Sequence, residues 1–339
     1  MNIGILGLPY SGKTTVVKYL AMQSNAGIRE QNNALYTTLT FPDKRMEILK
    51  ENEALIKITL PHFYIFEPNG AVENAHTLSR IKTAQALFIV LRNFPFQGVD
   101  PEPVKDFERI NHLILEKDRG IIKKQIETLK NSLLKAKFKK DRDDIEHTIT
   151  ILEKMEEFAL SKPLRDMEEI HVHKGIYTGL GLLSAYPALI ILSSSESTYK
   201  QNNIIFSLPH VELLPDWELE KRKLSKEEIK EFSVSFSLPE EDLFYKLNEK
   251  FWNAFSLQVF YTVKKEDTRA WLISKGTQAL EASGVIHTDI EKGFIKAEII
   301  SWQDYIKAGS IARAKPFMRL EDKDYIMKDG DIANFRFKV

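Results

Sequence analysis

The sequence predicts an α/β fold with a mostly parallel sheet, an inserted antiparallel helical hairpin and a small α+β domain at the C-terminal end. Short apolar runs alternate with helix-like stretches over residues 1–110 and again over 185–255, at the spacing typical of a parallel sheet. Two long stretches of helical periodicity lie within residues 111–165, and several short strand-like runs fill residues 256–339. We therefore expect three domains with these boundaries, the first of them split by the hairpin.

Each element of the first domain has its own local signal. The apolar run before residue 7 and the later runs at 34–41, 56–60, 63–66, 86–91 and 186–192 are strand-like. Residues 44–52 and 75–84 have helical periodicity, and Pro42-Asp43 is a turn signal between the run at 34–41 and the next helix. The order of these signals is that of a sheet whose strands are joined by helices.

The composition excludes several classes of protein. The chain has 339 residues, of which 43% are hydrophobic and 28% charged, with a formal net charge of zero. A neutral chain has no overall attraction to nucleic acid or membrane, so we expect no specificity for DNA and no membrane partner. Without cysteine, disulfides and thiol nucleophiles are excluded. We see no signal peptide or transmembrane segment, and we expect a cytoplasmic protein.

A phosphate-binding motif follows the first strand. Residues 7–15 match G-x-x-x-x-G-K-[ST] without a mismatch. The two glycines allow the loop's N–H groups to turn inward at the positive end of the next helix. Lys13 would reach the β- and γ-phosphates of a nucleotide, and the Thr14 hydroxyl would hold Mg²⁺. We expect nucleotide contacts from this P-loop, namely from Gly7, Pro9, Tyr10, Ser11, Gly12, Lys13, Thr14 and Thr15.

The metal side of such a site needs a carboxylate at the end of a nearby strand and a glycine that can sense the γ-phosphate. Glu67-x-x-Gly70 follows the apolar run at 63–66 and supplies both in outline. A threonine from a mobile loop usually completes the metal shell, and three candidates lie in the expected interval: Thr37, Thr38 and Thr40. The sequence does not choose among them; Thr38 is taken as the candidate ligand beside Thr14 and Glu67.

Base recognition is expected in the loop after the strand at 186–192. Ser193-x-x-Glu196 stands there, whereas GTPases place Asn-Lys-x-Asp at this point. The missing Asn and Asp weaken any prediction of guanine specificity. Ser193 and Glu196 are therefore candidate base contacts whose preference stays open between ATP and GTP.

The turn between the two hairpin helices is basic. Residues 135–142 contain five cations around Phe138, namely Lys135, Lys137, Lys139, Lys140 and Arg142. Such a patch can neutralise phosphates, and an exposed aromatic ring can stack on a base. A solvated helical turn would have the same composition, so RNA contact is one of two interpretations.

With these features in place, the chain resembles the YchF/Obg-like ATPase family of P-loop proteins. The matching motifs are the loop beginning Gly7-Leu8-Pro9, Pro42-Asp43-x-Arg45, Arg269-Ala270-Trp271, residues 282–289 and Lys328-Asp329-Gly330-Asp331. The resemblance implies a GTPase-like core with an inserted hairpin and a TGS-type β-grasp domain. It also implies ATP binding with GTP often accepted, slow hydrolysis, and association with ribosomes.

The chain departs from that family at the parts that serve hydrolysis. Glu67 stands where the family has Asp, Ser193 where its base motif has Asn, and Ala71 supplies no water-orienting glutamine. The loop at 93–100 lacks the histidine that family members carry there. One hypothesis is a slow ATPase, with GTP possible, that acts as a translation-linked switch. The alternative is a nucleotide-gated ribosome- or RNA-binding module with little or no hydrolysis.

Overall fold

The computed structural model describes residues 1–70, 72–200 and 204–338. Ala71, which follows the predicted γ-phosphate sensor Gly70, lies outside these ranges. The strands are, in chain order, β1 (Asn2–Leu6), β2 (Arg29–Gln31), β3 (Ala34–Leu39), β4 (Ile58–Thr59), β5 (Phe63–Pro68), β6 (Ala86–Asn93), β7 (Ala188–Ser194), β8 (His210–Leu213), β9 (Leu257–Thr262), β10 (Thr268–Ser274), β11 (Phe294–Ile300), β12 (Arg319–Glu321) and β13 (Ile332–Phe337). The α-helices are α1 (Lys13–Gln23), α2 (Lys44–Asn52), α3 (Ala75–Arg80), α4 (Pro103–Leu133), α5 (Lys139–Phe158), α6 (Lys174–Leu180), α7 (Pro215–Lys221), α8 (Lys226–Phe236), α9 (Phe244–Ala254), α10 (Ala279–Ile286), α11 (Thr288–Lys292), α12 (Trp302–Ala308) and α13 (Ile311–Ala314).

The chain divides into two compact units, each with its own sheet. The first unit comprises Met1–Leu39 and Phe63–Lys250, and the second comprises Thr40–His62 and Phe251–Val339. Residues 40–62 therefore differ from the predicted ranges, which assigned them to the nucleotide-binding domain. The reason is that β4 pairs with β10 and that α2 packs on the second sheet. No helix in the described ranges is long and apolar enough to cross a bilayer.

The sheet of the first unit has the order β2-β3-β5-β1-β6-β7-β8. The five strands β5, β1, β6, β7 and β8 are parallel, whereas β3 and β2 are antiparallel additions at one edge. Every residue of β7 and nearly every residue of β6 is buried, as expected of parallel strands covered on both faces. The predicted mostly parallel α/β sheet is confirmed, and the P-loop leaves it at the carboxyl end of β1.

The helical hairpin is formed by α4 and α5, as the two periodic stretches predict. The first part of α4 packs on the sheet through Phe107, Ile110 and Ile114, and its second half packs against α5. The predicted boundary at residue 111 thus falls inside one continuous helix. Asp118, where the two halves meet, is fully buried and accepts hydrogen bonds from the N–H groups of Leu183 and Ser184. Burial raises the pKa of this carboxyl to about 6.

The sheet of the second unit has the order β12-β11-β13-β9-β10-β4. Its centre is the parallel pair β9 and β13, flanked by the antiparallel strands β10 and β11. This is the strand arrangement of a β-grasp fold, so the predicted α+β domain is confirmed. Helix α10 covers one face, which buries Phe260, Ala297 and Phe335, whereas α2 and α12 cover the other.

The Pro42-Asp43-x-Arg45 motif has a structural role inside the second unit. The Arg45 guanidinium pairs with Asp43 at 3.1 Å and with Asp329 at 2.7 Å. The Tyr261 hydroxyl donates to Asp43 at 2.5 Å, and its ring lies under the Arg45 guanidinium. Gly330, at φ +84°, leaves room for this contact, since a Cβ there would lie 2.9 Å from Nη1 of Arg45. Two motifs that are distant in the sequence therefore form one ion-pair cluster.

Candidate nucleotide-binding site

The backbone at the N-terminal end of α1 could by itself bind an anion. The helix begins at Lys13, and its N-cap residue, Gly12, has no side chain to satisfy the first N–H groups. Within the described residues, no backbone acceptor pairs with the N–H groups of Lys13 and Thr14. Unsatisfied N–H groups at the positive end of a helix dipole favour a phosphate.

The two motif glycines are required by close contacts. A Cβ at Gly7 would lie 2.5 Å from the carbonyl oxygen of Val90, on the neighbouring strand. Gly12 has φ +90°, and a Cβ there would lie 2.8 Å from Oγ of Ser193. Since side-chain-bearing residues disfavour positive φ and neither site has room for a Cβ, the loop keeps its shape only with glycine.

Lys13 lies on the side expected to hold the phosphates, and Thr14 on the side expected to hold the metal. The Lys13 ammonium donates to the carbonyl oxygens of Gly7 and Leu8 at 3.0 and 2.8 Å, which holds it over the loop. The Thr14 hydroxyl donates to the carboxylate of Glu67, with its oxygens at 3.1 and 3.2 Å. The structure therefore brings together Lys13, Thr14 and Glu67, three of the four side chains that the sequence predicts for phosphate and metal.

Burial shifts the pKa values of the charged groups in this cluster. Glu67 is 5% exposed, and burial raises the pKa of its carboxyl against the opposing effects of Lys13 and the Thr14 hydrogen bond. Burial also lowers the pKa of Lys13, opposed by Glu67 and Glu73. Each charge therefore stabilises the ionised form of the other in a partly desolvated site.

The three threonine candidates each have other described contacts. Thr38 pairs with Tyr64 in the sheet, three positions along β5 from Glu67. The Thr37 hydroxyl donates to the carbonyl oxygen of Gly27, and Thr40 contacts His62 in the second unit.

Gly70 follows β5 as the sequence requires for a γ-phosphate sensor. Its φ of +118° is reserved for glycine, and a Cβ would lie 2.6 Å from the Thr77 hydroxyl. Ala71, the next residue, lies outside the described ranges. The glycine is thus fixed in a conformation that leaves its N–H beside the carboxyl end of β5.

The predicted base contacts occupy different environments. Ser193 is 3% exposed and its hydroxyl packs against Gly12, so it supports the P-loop from behind. Glu196 is exposed in the turn after β7, which is closed by hydrogen bonds from the N–H and hydroxyl of Ser195 to the Thr198 hydroxyl. Of the two, only Glu196 is free to face a base.

Sequence reasoning missed the polar network that holds this turn. The buried Asn93 amide donates to the Ser194 hydroxyl at 2.8 Å, and that hydroxyl donates to Glu212. The Thr198 hydroxyl donates to the carbonyl oxygen of Asn93. These residues come from the ends of β6, β7 and β8, which are far apart in sequence, so only the topology brings them together.

An aromatic pair at the P-loop was also missed. Tyr10, at φ +62°, stacks on Phe96 with ring centroids 4.7 Å apart. The Arg92 guanidinium shapes the loop that carries Phe96, since it donates to the carbonyl oxygens of Phe94 and Val99 at 2.9 Å. The two rings therefore lie on a fixed loop beside the phosphate-binding turn.

The five cations of the hairpin tip are all exposed, as are Leu134 and Phe138. No ion pair within the described ranges involves these cations, which are Lys135, Lys137, Lys139, Lys140 and Arg142. Three aspartates follow nearby on α5, which leaves the tip with a net positive charge. The tip is thus available to an anionic partner.

Comparison with known proteins gives matches over the whole chain. The YchF-GTPase_C family, described as a protein of unknown function (DUF933), matches residues 257–338. The ribosome-binding ATPase YchF of Bacillus subtilis is 28% identical over 100% of both chains. The ribosome-binding ATPase YchF of Escherichia coli O157:H7 is 29% identical over 99% of both, and the Obg-like ATPase 1 of Gallus gallus is 26% identical over 100% of this chain and 93% of its own length.

The fold also matches a solved structure over nearly its whole length. The structure of the Schizosaccharomyces pombe YchF GTPase superposes with a TM-score of 0.80 at 22% identity, over 99% of this chain and 97% of that one. The C-terminal match, the full-length relatives and this superposition all lead to the same group of proteins. The chain is similar to YchF/Obg-like proteins over its full length, and its residues 257–338 match the YchF-GTPase_C family.

Proposed function

We propose that the protein is a P-loop ATPase with slow turnover, able to accept GTP, that acts as a ribosome-associated switch in the cytoplasm. The observation that carries the proposal is the cluster of Lys13, Thr14 and Glu67 at the uncapped N-terminal end of α1. The relatives named ribosome-binding ATPase cover the same full length and support both the reaction and the partner.

The residues present fit a nucleotide with Mg²⁺. The Ser11 hydroxyl is buried in the P-loop with no partner in the described structure, which leaves a donor for a phosphate oxygen. Mg²⁺ prefers a few protein oxygens together with phosphates and water, and Thr14 and Glu67 supply a hydroxyl and a carboxylate.

The chain's own residues would divide the work as follows. Lys13 exchanges its two carbonyl acceptors for β- and γ-phosphate oxygens, and the N–H groups of α1 bind the same phosphates. Thr14 and Glu67 position Mg²⁺, which would neutralise charge that develops on the phosphates. Gly70 offers its N–H to the γ-phosphate, and Glu196 offers its carboxylate to the amino group of the base.

A second function, nucleotide-gated binding without useful hydrolysis, is favoured by one observation. The loop Asn93–Asp100, which contains no histidine, is folded on itself by Arg92 and by the pairing of Phe96 with Val99. It therefore offers no acid–base group of the kind that the family carries there. In this alternative, nucleotide binding alone would change affinity for the ribosome.

Affinity and turnover for ATP and GTP separate the two functions, with Lys13→Ala as the control. We expect micromolar binding and slow phosphate release, both lost in the variant. Tight binding without phosphate release above the variant's background would favour the second function. Equal nucleotide affinity in wild type and Lys13→Ala would contradict both.

Co-sedimentation with ribosomes, with and without nucleotide, tests the partner. The hairpin tip is the proposed RNA contact, so Lys137, Lys139 and Lys140 are changed together to Glu. We expect at least tenfold weaker binding, because each lysine near phosphates contributes electrostatically. A matched variant with Glu at the exposed Lys154, Lys162 and Lys174 should bind normally. Undiminished binding of the tip variant would remove RNA contact from the proposal.

A further inference from the structure

Strand β13 continues past the end of its neighbour and leaves part of its edge unpaired. Strands β9 and β13 pair at one position, Tyr261 with Ile332, and β9 ends one residue later at Thr262. The other edge of β13 is paired with β11 as far as Phe337. The stretch Asn334–Phe337 therefore lies in the sheet with a partner on one side.

The backbone direction along this edge follows from the hydrogen bonds. The Tyr261 N–H donates to the carbonyl of Asp331, and the Lys338 N–H donates to Gly293 beside β11. Because backbone groups alternate sides along a strand, Phe335 and Phe337 turn both N–H and C=O away from β11. No backbone partner meets these groups among the described residues. They form an open template for a further strand.

A cleft of about 820 Å³ lies along this edge, within the second unit. On the α10 face its lining is apolar, with Trp271, Ile286 and Ile290 beside the two phenylalanines of β13. On the opposite face Lys315 and Arg336 line it. Four residues of free strand span roughly 13 Å, enough for a segment of about four residues.

The cations that line the cleft outnumber its carboxylates. Arg269 pairs with Asp267 at 2.6 Å and Arg336 pairs with Glu298, so both carboxylates of the rim are used. Lys264 and Lys315 are exposed and have no ion-pair partner in the described structure. The cleft is thus left with two uncompensated positive charges, which favours an acidic occupant.

We propose that this cleft binds an extended acidic segment of a partner protein as an added strand beside β13. Side chains of a strand alternate between faces, so one set would meet the apolar α10 face and the other would meet the lysines. The segment it recognises therefore alternates apolar and acidic residues. Backbone hydrogen bonds to Phe335 and Phe337 give affinity, and the two faces give specificity.

Fluorescence anisotropy of the full-length protein with a labelled Val-Glu-Val-Glu-Val peptide tests this. We expect saturable binding, lost for the same peptide with alternate amides N-methylated, because these cannot pair as a strand. A Val-Lys-Val-Lys-Val peptide should bind at least tenfold more weakly. Absence of binding, or equal binding of the N-methylated peptide, would overturn the proposal.

Two sets of variants locate the site. Lys264→Glu with Lys315→Glu should weaken binding at least tenfold, whereas Lys323→Glu with Lys328→Glu, exposed in the same unit but outside the cleft, should leave it unchanged. Phe337→Pro removes an N–H that faces the cleft, so it should bind more weakly than Phe337→Ala, which keeps the N–H. The exposed lysine variants decide the matter if the proline variant fails to fold.

Other occupants give distinct results. Tighter binding of a labelled oligouridylate than of the acidic peptide, lost in the Lys264→Glu, Lys315→Glu variant, would assign the cleft to RNA and overturn the proposal. A dimer in light scattering that is disrupted by the same variant would assign it to a second copy of the chain, with the same consequence. A monomer that binds the acidic peptide supports it.

Discussion

The two sides of the proposed phosphate site differ in how many of the expected residues they hold in place. On the P-loop side, Gly7 and Gly12 stand where an added Cβ would lie only 2.5 and 2.8 Å from neighbouring atoms, and Lys13 and Thr14 each have a partner. On the opposite side, Gly70 is in place, but Thr38 is held in a strand and the loop at 93–100 offers no histidine. The difference teaches that nucleotide binding and nucleotide hydrolysis have separate structural requirements, and that this chain meets the first more fully.

The largest effect should come from a Cβ in the P-loop. Gly12→Ala forces positive φ on alanine and a contact with Ser193, so we expect about 100-fold weaker nucleotide binding, near 2.8 kcal/mol. Gly27→Ala is the matched control, because nothing lies within 4 Å of a Cβ there. Titration calorimetry measures both. An unchanged affinity in Gly12→Ala would show that the loop is less rigid than its contacts indicate.

The metal side should show a smaller effect. Glu67→Gln keeps a hydrogen-bond acceptor for Thr14 but loses the charge, so the affinity gained on adding Mg²⁺ should fall about tenfold. Affinity in the presence of EDTA should stay the same, because the phosphates are held by Lys13 and α1. Glu227→Gln, exposed on α8, serves as the control. A loss that persists in EDTA would place Glu67 in phosphate binding instead.

Lowering the pH should reproduce part of the loss of Mg²⁺-dependent affinity that we expect for Glu67→Gln. Burial raises the pKa of Glu67, so its carboxyl becomes protonated at a higher pH than an exposed glutamate does. Its charge is present above that pKa and lost as the pH falls through it. We expect Mg²⁺-dependent affinity to fall in the wild type as the pH is lowered from 7 through the raised pKa of Glu67. In Glu67→Gln the same titration should be flatter, and equal slopes would assign the effect to other groups.

The smallest expected effect concerns Thr38, on the side of the site opposite the P-loop. Thr38 lies opposite Tyr64 rather than at the cluster, so Thr38→Val should change Mg²⁺-dependent affinity less than about twofold. Thr14→Val, which removes the hydroxyl beside Glu67, is the positive control. If Thr38→Val matched the loss in Thr14→Val, β3 would have to rearrange on nucleotide binding, and the two sides would be more alike than they appear without ligand.

Local patterns predicted those parts of the molecule that local chemistry determines. The P-loop, the apolar strands β6 and β7 and the amphipathic stripes of α4 and α5 all follow from short-range spacing. Thr14 and Glu67 were predicted as partners because a strand end beside a P-loop has one common use. In each case a few neighbouring residues limit the possible structure.

Contacts between distant segments could not be predicted in this way. The Asn93–Ser194–Glu212 network depends on the order of three strands, and Ser193 supports the P-loop because β7 lies behind it. The open edge of β13 has no sequence signal at all, since any residue supplies a backbone N–H and C=O. A missing neighbour is a property of topology, so only the three-dimensional arrangement shows it.

The position of residues 40–62 has a consequence for how this protein can change in evolution. These residues supply Arg45, Met46 and Leu49 to the cluster and core of the second unit, although they are encoded between β3 and β5 of the first. A truncation after residue 250 would leave them as an apolar loop without a sheet to cover. The C-terminal domain is therefore not a cassette that recombination can add or remove, and the two units have to be gained, lost and altered together.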